Sequence, residues 1–275
     1  MNIRIAACQI LTFPSPKESA DKMLHWMRLA AKDGVQVVAF PEAGICGYPC
    51  TPDYWKAADP KVFRAAERRI ERAAKQLGIA VVLGTVHWEE GQLFNSLLLI
   101  DRDGTVKGRY SKTHLAERWP APGRRLFVTT LAGVLSCFII CHDVRYPELV
   151  RLPAIAGAQV CYFCSNESGL TEEYKLSAYR AMPIARATEN TVYVVMANAP
   201  ANADDLRSPS QSHGNSKVIH PDGTVICEAG FFEERLMAAT VDLNAATRAM
   251  ALRSVNDETI LKAWMQEGVK LVEKI

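Results

Sequence analysis

Cys141 ends the apolar run Leu135-Ser-Cys-Phe-Ile-Ile140 and begins the polar segment His142-Asp-Val-Arg-Tyr-Pro-Glu148. Pro147 suits the first turn of a helix, so the thiol is expected where a strand turns towards a helix. Such a place sets a side chain beside backbone N–H groups whose partial positive charge favours a thiolate and an oxyanion. The competing reading is a buried strand-end cysteine that packs as a small hydrophobe. Glu42 lies in Phe40-Pro-Glu-Ala-Gly44, just past a short apolar run. A carboxylate at the end of a buried strand is costly unless it is paired or at work; the alternative is a solvated loop acid. Lys112, in Tyr110-Ser-Lys-Thr-His-Leu115, follows the second strand of a hairpin, where a lone lysine is ordinarily solvated.

The three residue types gain meaning together. A thiol attacking an unactivated amide needs a base that takes its proton and passes it to the leaving amine. It needs positive charge or hydrogen-bond donors for the tetrahedral oxyanion. It then needs an activated water to cleave the thioester.

The elements that must position these groups alternate. Residues 3–9 alternate as a strand, 18–32 carry apolar residues at helical spacing before Gly34, and 35–40 form a short strand buried on both faces. A charged amphipathic helix is predicted over 60–77, closed by Gly78, then a buried strand over 79–86. Residues 93–100 and 105–110 flank an Asp-Gly turn as a hairpin. In the second half, strands are predicted over 134–140, 159–164 and 191–198, with helices over 147–156 and 171–188, the latter kinked or divided at Pro183. A second hairpin spans 215–228 around Pro221-Asp-Gly223. A strand over 236–243 and a helical tail follow. Two mixed sheets covered by helices on their outer faces, an α/β sandwich, satisfy this order. Without a linker, residues 1–275 are expected to form one domain.

Phe40-Pro-Glu42 with Gly44, Tyr110-Ser-Lys112-Thr-His-Leu115 and Cys141-His-Asp-Val-Arg-Tyr-Pro-Glu148 resemble, in order, the three signature segments of the nitrilase (carbon–nitrogen hydrolase) superfamily. Gln9, Asn95-Ser96, Pro122-Gly123, residues 185–190 and Gly214-Asn-Ser216 extend the resemblance over nearly the whole chain. It implies a four-layer αββα sandwich, with Glu42 as general base, Cys141 as nucleophile, Lys112 as oxyanion stabiliser and the His142 N–H as second oxyanion donor. It also implies a second glutamate between the lysine and the Pro-Gly, where Glu117 is the only acid. It further implies a homodimer or higher homo-oligomer joined through helices, the C-terminal tail crossing to the partner; the apolar residues of 263–272 agree with a buried tail.

Other chemistries find little support. Cys161 and Cys164 form a C-x-x-C, but three residues apart in a strand they face opposite sides, which speaks against a shared metal. Cys46 and Cys50 have no histidine pair to complete a site, and there is no phosphate-binding glycine loop. No cofactor or metal is expected. The formal charge is only +2, without a basic arm for nucleic acid. No apolar run reaches the roughly 18 residues of a membrane span, and the start lacks the pattern of a signal peptide, so a cytoplasmic protein is expected. At 49% hydrophobic residues the chain has ample material for a core.

The expected activity is cleavage of a small linear amide through a cysteine thioester. The alternatives are N-carbamoyl hydrolysis, a nitrilase attacking C≡N, and an idle scaffold that the intact set of residues disfavours. His142-Asp143 after the thiol, where nitrilases proper carry Trp-Glu, resembles the amidase and carbamoylase branches. Arg145 stands where such enzymes also carry arginine; it faces a substrate carboxylate or ties the turn to a nearby acid. Tyr48, Tyr54, Trp55 and Trp119 suggest an aromatic-lined pocket.

Overall fold

The computed structural model describes residues 1–49, 51–167, 170, 176–207 and 212–275. The first half runs β1 (Asn2–Gln9), α1 (Pro16–Lys32), β2 (Val37–Ala39), α2 (Pro52–Ala57), α3 (Pro60–Leu77), β3 (Ala80–Glu89), β4 (Gln92–Ile100) and β5 (Val106–Ser111). The second runs β6 (Leu126–Leu131), β7 (Val134–Ile140), α4 (Glu148–Ala156), β8 (Val160–Ser165), α5 (Leu176–Thr188), β9 (Tyr193–Asn198), β10 (Lys217–Ile219), β11 (Val225–Glu228) and β12 (Arg235–Asp242). The chain then forms α6 (Ala249–Asn256), α7 (Lys262–Val269) and β13 (Val272–Lys274).

Two sheets result, in the orders β12-β1-β2-β3-β4-β5 and β11-β10-β9-β8-β7-β6-β13. Parallel pairs occupy their centres and antiparallel pairs flank them, except that β13 joins the edge strand β6 in parallel. The inner faces pack on each other, Ile5, Leu97 and Tyr110 of the first sheet meeting Phe138, Tyr162 and Val195 of the second. Met23 and Met27 of α1 and Phe63 and Ile70 of α3 cover the outer face of the first sheet. Val150 of α4 and Tyr179 of α5 help cover that of the second. This is the four-layer αββα sandwich, with three apolar layers between its sheets and helices.

Local chemistry explains the best-defined helix. Asp59 caps α3 by accepting from Lys61 N (2.8 Å), Pro60 opens it, and Gly78 closes it at φ 65°. The structure departs from the sequence expectations in four places. Residues 126–131, not assigned from sequence, form β6. The stretch 52–57, assigned no element from sequence, forms the short helix α2. Helix α5 continues through Pro183 undivided, while residues 171–175 of the expected helix lie outside the described residues. The tail is not wholly helical: β13 pairs in parallel with β6, Val272 opposite Leu126, and the Ile275 N–H bonds Val128 O at 3.1 Å. An edge strand offers unpaired N–H and C=O groups, and this segment satisfies them.

Candidate active site

Glu42 lies three residues beyond β2 and is completely buried. Its carboxylate accepts from Asn95 Nδ2 (2.7 Å), Lys112 Nζ (2.8 Å) and the Asn166 N–H (2.8 Å). Its own N–H reaches Ser165 O at 3.3 Å. Glu42 therefore joins the end of β2 in one sheet to the end of β8 in the other. Gly84 in β3 permits this path, because a Cβ there would overlap the Pro41 carbonyl.

Lys112 follows β5 directly and is also completely buried. Its N–H donates to Asn95 O (2.8 Å), and its carbonyl accepts from the Gly123 N–H (2.7 Å). Asn95 thus holds Lys112 by its backbone and Glu42 by its side chain. The Lys112 ammonium is shared by Glu42 and Glu117 Oε1 (2.5 Å), and Tyr48 donates its hydroxyl to that same Glu117 oxygen. Tyr48 itself sits in the left-handed region at φ 54°, a strained place for a bulky residue.

Cys141 begins a short 3-10 turn, Cys141–Arg145, at the end of β7. Its φ is 46°, an uncommon value for a non-glycine residue and one found preferentially at functional sites. The turn is held by Asp143, whose buried carboxylate accepts from the N–H groups of Ile140 (3.1 Å) and His114 (2.7 Å) and from the Tyr110 hydroxyl (2.9 Å). One side chain thereby ties the cysteine turn to the segment on both sides of Lys112.

The charges do not cancel. Burial opposes charge on Glu117, but Lys112 and the donated hydrogen bonds keep its carboxyl below the usual range. Burial also opposes charge on Lys112, yet Cys141 when ionised and the Glu42 and Glu117 carboxylates more than offset it, and the ammonium holds its proton firmly. Glu42 is left with the larger desolvation penalty, and its carboxyl is pushed up to about 8 despite Lys112. The thiol behaves contrary to the sequence expectation. Burial, followed by the charges of Glu167 and Glu42, raises Cys141 well above an ordinary thiol, and Lys112 only moderates the rise. The resting group is a neutral thiol, and Glu42, whose carboxyl titrates at about 8, is among the charges acting on it.

The structure thus gathers Glu42, Lys112, Glu117, Tyr48 and Cys141. Tyr48 is engaged with Glu117, an arrangement its type alone did not reveal. Trp119 packs edge-on against Tyr48 and stacks on Trp55 at 4.5 Å, and both indoles help line a cavity of about 480 Å³. His142 is half-buried, its ring 5.8 Å from that of Tyr146. Arg145 is exposed, its guanidinium 5.6 Å from the centre of the Tyr179 ring. Cys161 joins the outer layer and Cys164 the inter-sheet layer, so the C-x-x-C does face both ways. Cys46 is buried with its Sγ 3.2 Å from Ala43 O; Cys50 lies outside the described residues.

Sequence reasoning missed Asp143 as a brace and gave Asn166 and Glu167 no individual role, placing them only in a loop expected to wall the pocket. Their signal was modest: two polar residues immediately after the largely apolar strand β8, which lies parallel to and beside β7, the strand that ends just before Cys141.

The family model for carbon–nitrogen hydrolases matches residues 4–250. An omega-amidase of Xenopus tropicalis is 28% identical over 254 residues, covering 87% of this chain and 88% of its own. A 2-oxoglutaramate amidase of Bacillus subtilis is 28% identical, with 90% and 93% covered, and an (R)-stereoselective amidase of Pseudomonas sp. is 31% identical, with 72% and 70% covered. Among solved structures, an amidase from Nesterenkonia sp. superposes with a TM-score of 0.78 at 25% identity over 89% of this chain and 92% of that one. A mutant of the Nesterenkonia sp. AN1 amidase, at the same TM-score and identity with 91% and 98% covered, shows acrylamide added at its active-site cysteine.

With these matches over the sandwich and its buried thiol, carboxylates and lysine, the chain belongs to the carbon–nitrogen hydrolase family, the nitrilase superfamily. It is an amidohydrolase acting on carbon–nitrogen bonds other than peptide bonds.

Proposed function

We propose that the protein hydrolyses a small linear amide to a carboxylic acid and ammonia through a thioester on Cys141. The observation that carries this reading is the shared Lys112 ammonium: burial lifts the Glu42 carboxyl to about 8 even though this one buried cation serves it together with Glu117. A general base works best with a pKa near the working pH.

In the first half-reaction the Cys141 sulfur attacks the amide carbon as Glu42 takes the thiol proton. The oxyanion is held by Lys112 Nζ and the backbone N–H of His142. Glu42 returns the proton to the amide nitrogen, the C–N bond breaks, and ammonia departs from the thioester. Glu42 then takes a proton from water, whose oxygen attacks the thioester carbon. Collapse releases the acid, and the proton passes back to the sulfur. Glu117, held by Tyr48, keeps Lys112 charged and aimed. Neither metal nor cofactor enters these steps. The acrylamide adduct of the related amidase supports the cysteine as nucleophile. The reading further places residues 1–275 in one carbon–nitrogen hydrolase domain and the enzyme in the cytoplasm. It also makes the enzyme a homo-oligomer, with Ile260, Leu261 and Trp264 exposed around α7 as candidate contact surface.

The test is ammonia release over simple amides, omega-amides, N-carbamoyl amino acids and nitriles. Simple amides should be turned over, Cys141→Ala should abolish release, and Glu42→Gln should stop the reaction before an acyl-enzyme accumulates. Release that survives Cys141→Ala would sink the mechanism.

A further inference from the structure

Glu42 has to hand a proton to the departing nitrogen, and its hydrogen bonds show which oxygen does so. Oε1 accepts from Asn95 Nδ2 and Lys112 Nζ, whereas Oε2 accepts from the Asn166 N–H. A carboxylate offers roughly four lone-pair sites. Among the described residues, the place left for a proton is therefore on Oε2, the oxygen that Asn166 holds.

Asn166 carries a second feature at the same spot. It is 5% exposed, and its side-chain Oδ1 and Nδ2 are both enclosed with no partner among the described residues. A buried carboxamide with donor and acceptor both unmet is unusual, because each unmet group forfeits its hydration. It points to a ligand that supplies the missing partners. Val160, Tyr162 and Cys164 of β8 face the layer between the sheets, which also takes in Cys141, and the same alternation sends Asn166 to that side. The strand register sets Cys164 opposite Ile140, so Asn166 follows β8 where Cys141 follows β7. Enclosure is shared by the whole site: Glu42 and Lys112 are completely buried and Cys141 is 5% exposed. Whatever admits substrate to the thiol admits it to this carboxamide as well.

A substrate amide has two polar ends. Its oxygen goes to Lys112 and the His142 N–H, which leaves its nitrogen for Asn166. In the tetrahedral intermediate that nitrogen is pyramidal and accepts a proton only along its lone pair. An N–H held by Oδ1 stops rotation about the C–N bond with the lone pair turned to Glu42 Oε2, an orientational gain of the kind that speeds intramolecular reactions.

We propose that the Asn166 carboxamide orients the leaving nitrogen: Oδ1 accepts from one N–H of the amide while the proton on Glu42 Oε2 passes to the lone pair. The C–N bond then breaks with its electron pair staying on nitrogen, the oxyanion re-forms the carbonyl of the thioester, and Glu42 is again a carboxylate. Ammonia, with its N–H groups and the freed pair, offers counterparts to Nδ2 as well as to Oδ1. The inference rests on the amide-hydrolysing reading above and adds to it the residue that recognises the group to be expelled.

The experiment compares the simple amide turned over fastest with the methyl thioester of the same acid, for instance propanamide with S-methyl thiopropanoate. Both give the same acyl-enzyme, but the thioester has no N–H on its leaving group. Asn166→Leu keeps the backbone N–H on Glu42 and removes both unmet polar atoms. It should lower kcat/KM for the amide about tenfold, the worth of one hydrogen bond to the reacting group, and change that for the thioester less than about threefold. Its melting temperature should hold or rise by about 2 °C, because a buried unmet pair is gone. Asn166→Asp retains an acceptor and should keep the amide-to-thioester ratio within about threefold of the wild type, since its added charge bears on both substrates alike. An unchanged ratio in Asn166→Leu, or equal losses on both substrates with a lower melting temperature, would overturn the inference and leave the mechanism standing. Ammonia release that survives Cys141→Ala would overturn the mechanism itself, whatever the two ratios.

Discussion

Lys112 Nζ lies 2.8 Å from Glu42 Oε1, and neither side chain exposes any surface to solvent. Glu117 takes the other share of the same ammonium. Removing one partner from a buried ion pair leaves an uncompensated charge and costs about 3–5 kcal/mol. Lys112→Met should abolish turnover and lower the melting temperature by roughly 10 °C. Adding Glu117→Gln to Lys112→Met should recover much of the stability and none of the activity. A melting temperature unchanged by Lys112→Met would show that the pair is hydrated in solution.

Glu42 makes stability depend on pH in a particular direction. Burial lifts its carboxyl from 4.5 to about 8, so the folded chain holds a proton that the unfolded chain releases. That contribution is complete below about pH 4.5 and is lost as pH climbs through about 8. Glu117, whose carboxyl is lowered, acts in the opposite sense, its contribution being lost on acidification. The melting temperature of Glu42→Gln relative to wild type should therefore rise between pH 5 and 8.5, as followed by circular dichroism. A flat difference would mean that Glu42 is already ionised throughout.

The raised thiol sets a second pH test. Iodoacetamide should label Cys141 ahead of the other cysteines, because a base adjoins it. The rate should follow Glu42 and not a preformed thiolate. Labelling of Glu42→Gln at pH 8 should fall at least about tenfold, a modest share of the 10²–10⁴ that general base catalysis ordinarily contributes. Equal rates in the two proteins, by mass mapping, would restore the preformed thiolate.

Tyr48 and Glu117 should behave as one unit. Glu117→Gln should slow turnover about a hundredfold through lost near-attack geometry, since roughly 1 Å of misplacement suffices for that. Tyr48→Phe removes only the hydroxyl that steadies Glu117 and should cost less, about tenfold. The double variant should be no worse than Glu117→Gln alone. Additive losses in kcat would show that Tyr48 acts on substrate directly.

Asp143 is the brace of the cysteine turn. Asp143→Asn places an NH₂ where the carboxylate met donors only, so at least one of its three partners loses its acceptor. The cost should be about 1–3 kcal/mol in urea unfolding, with kcat reduced more than KM is raised. Wild-type kinetics in a protein that is merely less stable would make the brace purely structural.

How much of this was legible depended on how local the cause was. The bounds of α3 follow from Asp59, Pro60 and Gly78, all within the segment itself, and they stand where the sequence put them. The turn at Cys141 was readable for the same reason. β6 escaped because it follows the Pro-, Gly- and Arg-containing stretch 120–125, although Leu126-Phe-Val-Thr-Thr-Leu131 has a strand's composition. β13 was invisible because three residues become a strand only by meeting an edge formed some 140 positions earlier. The thiol's direction was misread because carboxylates from three separate segments converge on it, a sum that no local spacing encodes.

Glu42 and Lys112 ride on the first sheet, Cys141 and Asn166 on the second, and hydrogen bonds such as Asn166 N–H to Glu42 Oε2 and the Tyr110 hydroxyl to Asp143 span the gap between them. Turnover is accordingly a gauge of the separation between the sheets. Trimming a facing ring such as Phe138 or Tyr162, well away from substrate, would let that separation drift by fractions of an ångström. Activity should then fade in mild urea while the sheets themselves still give a native spectrum.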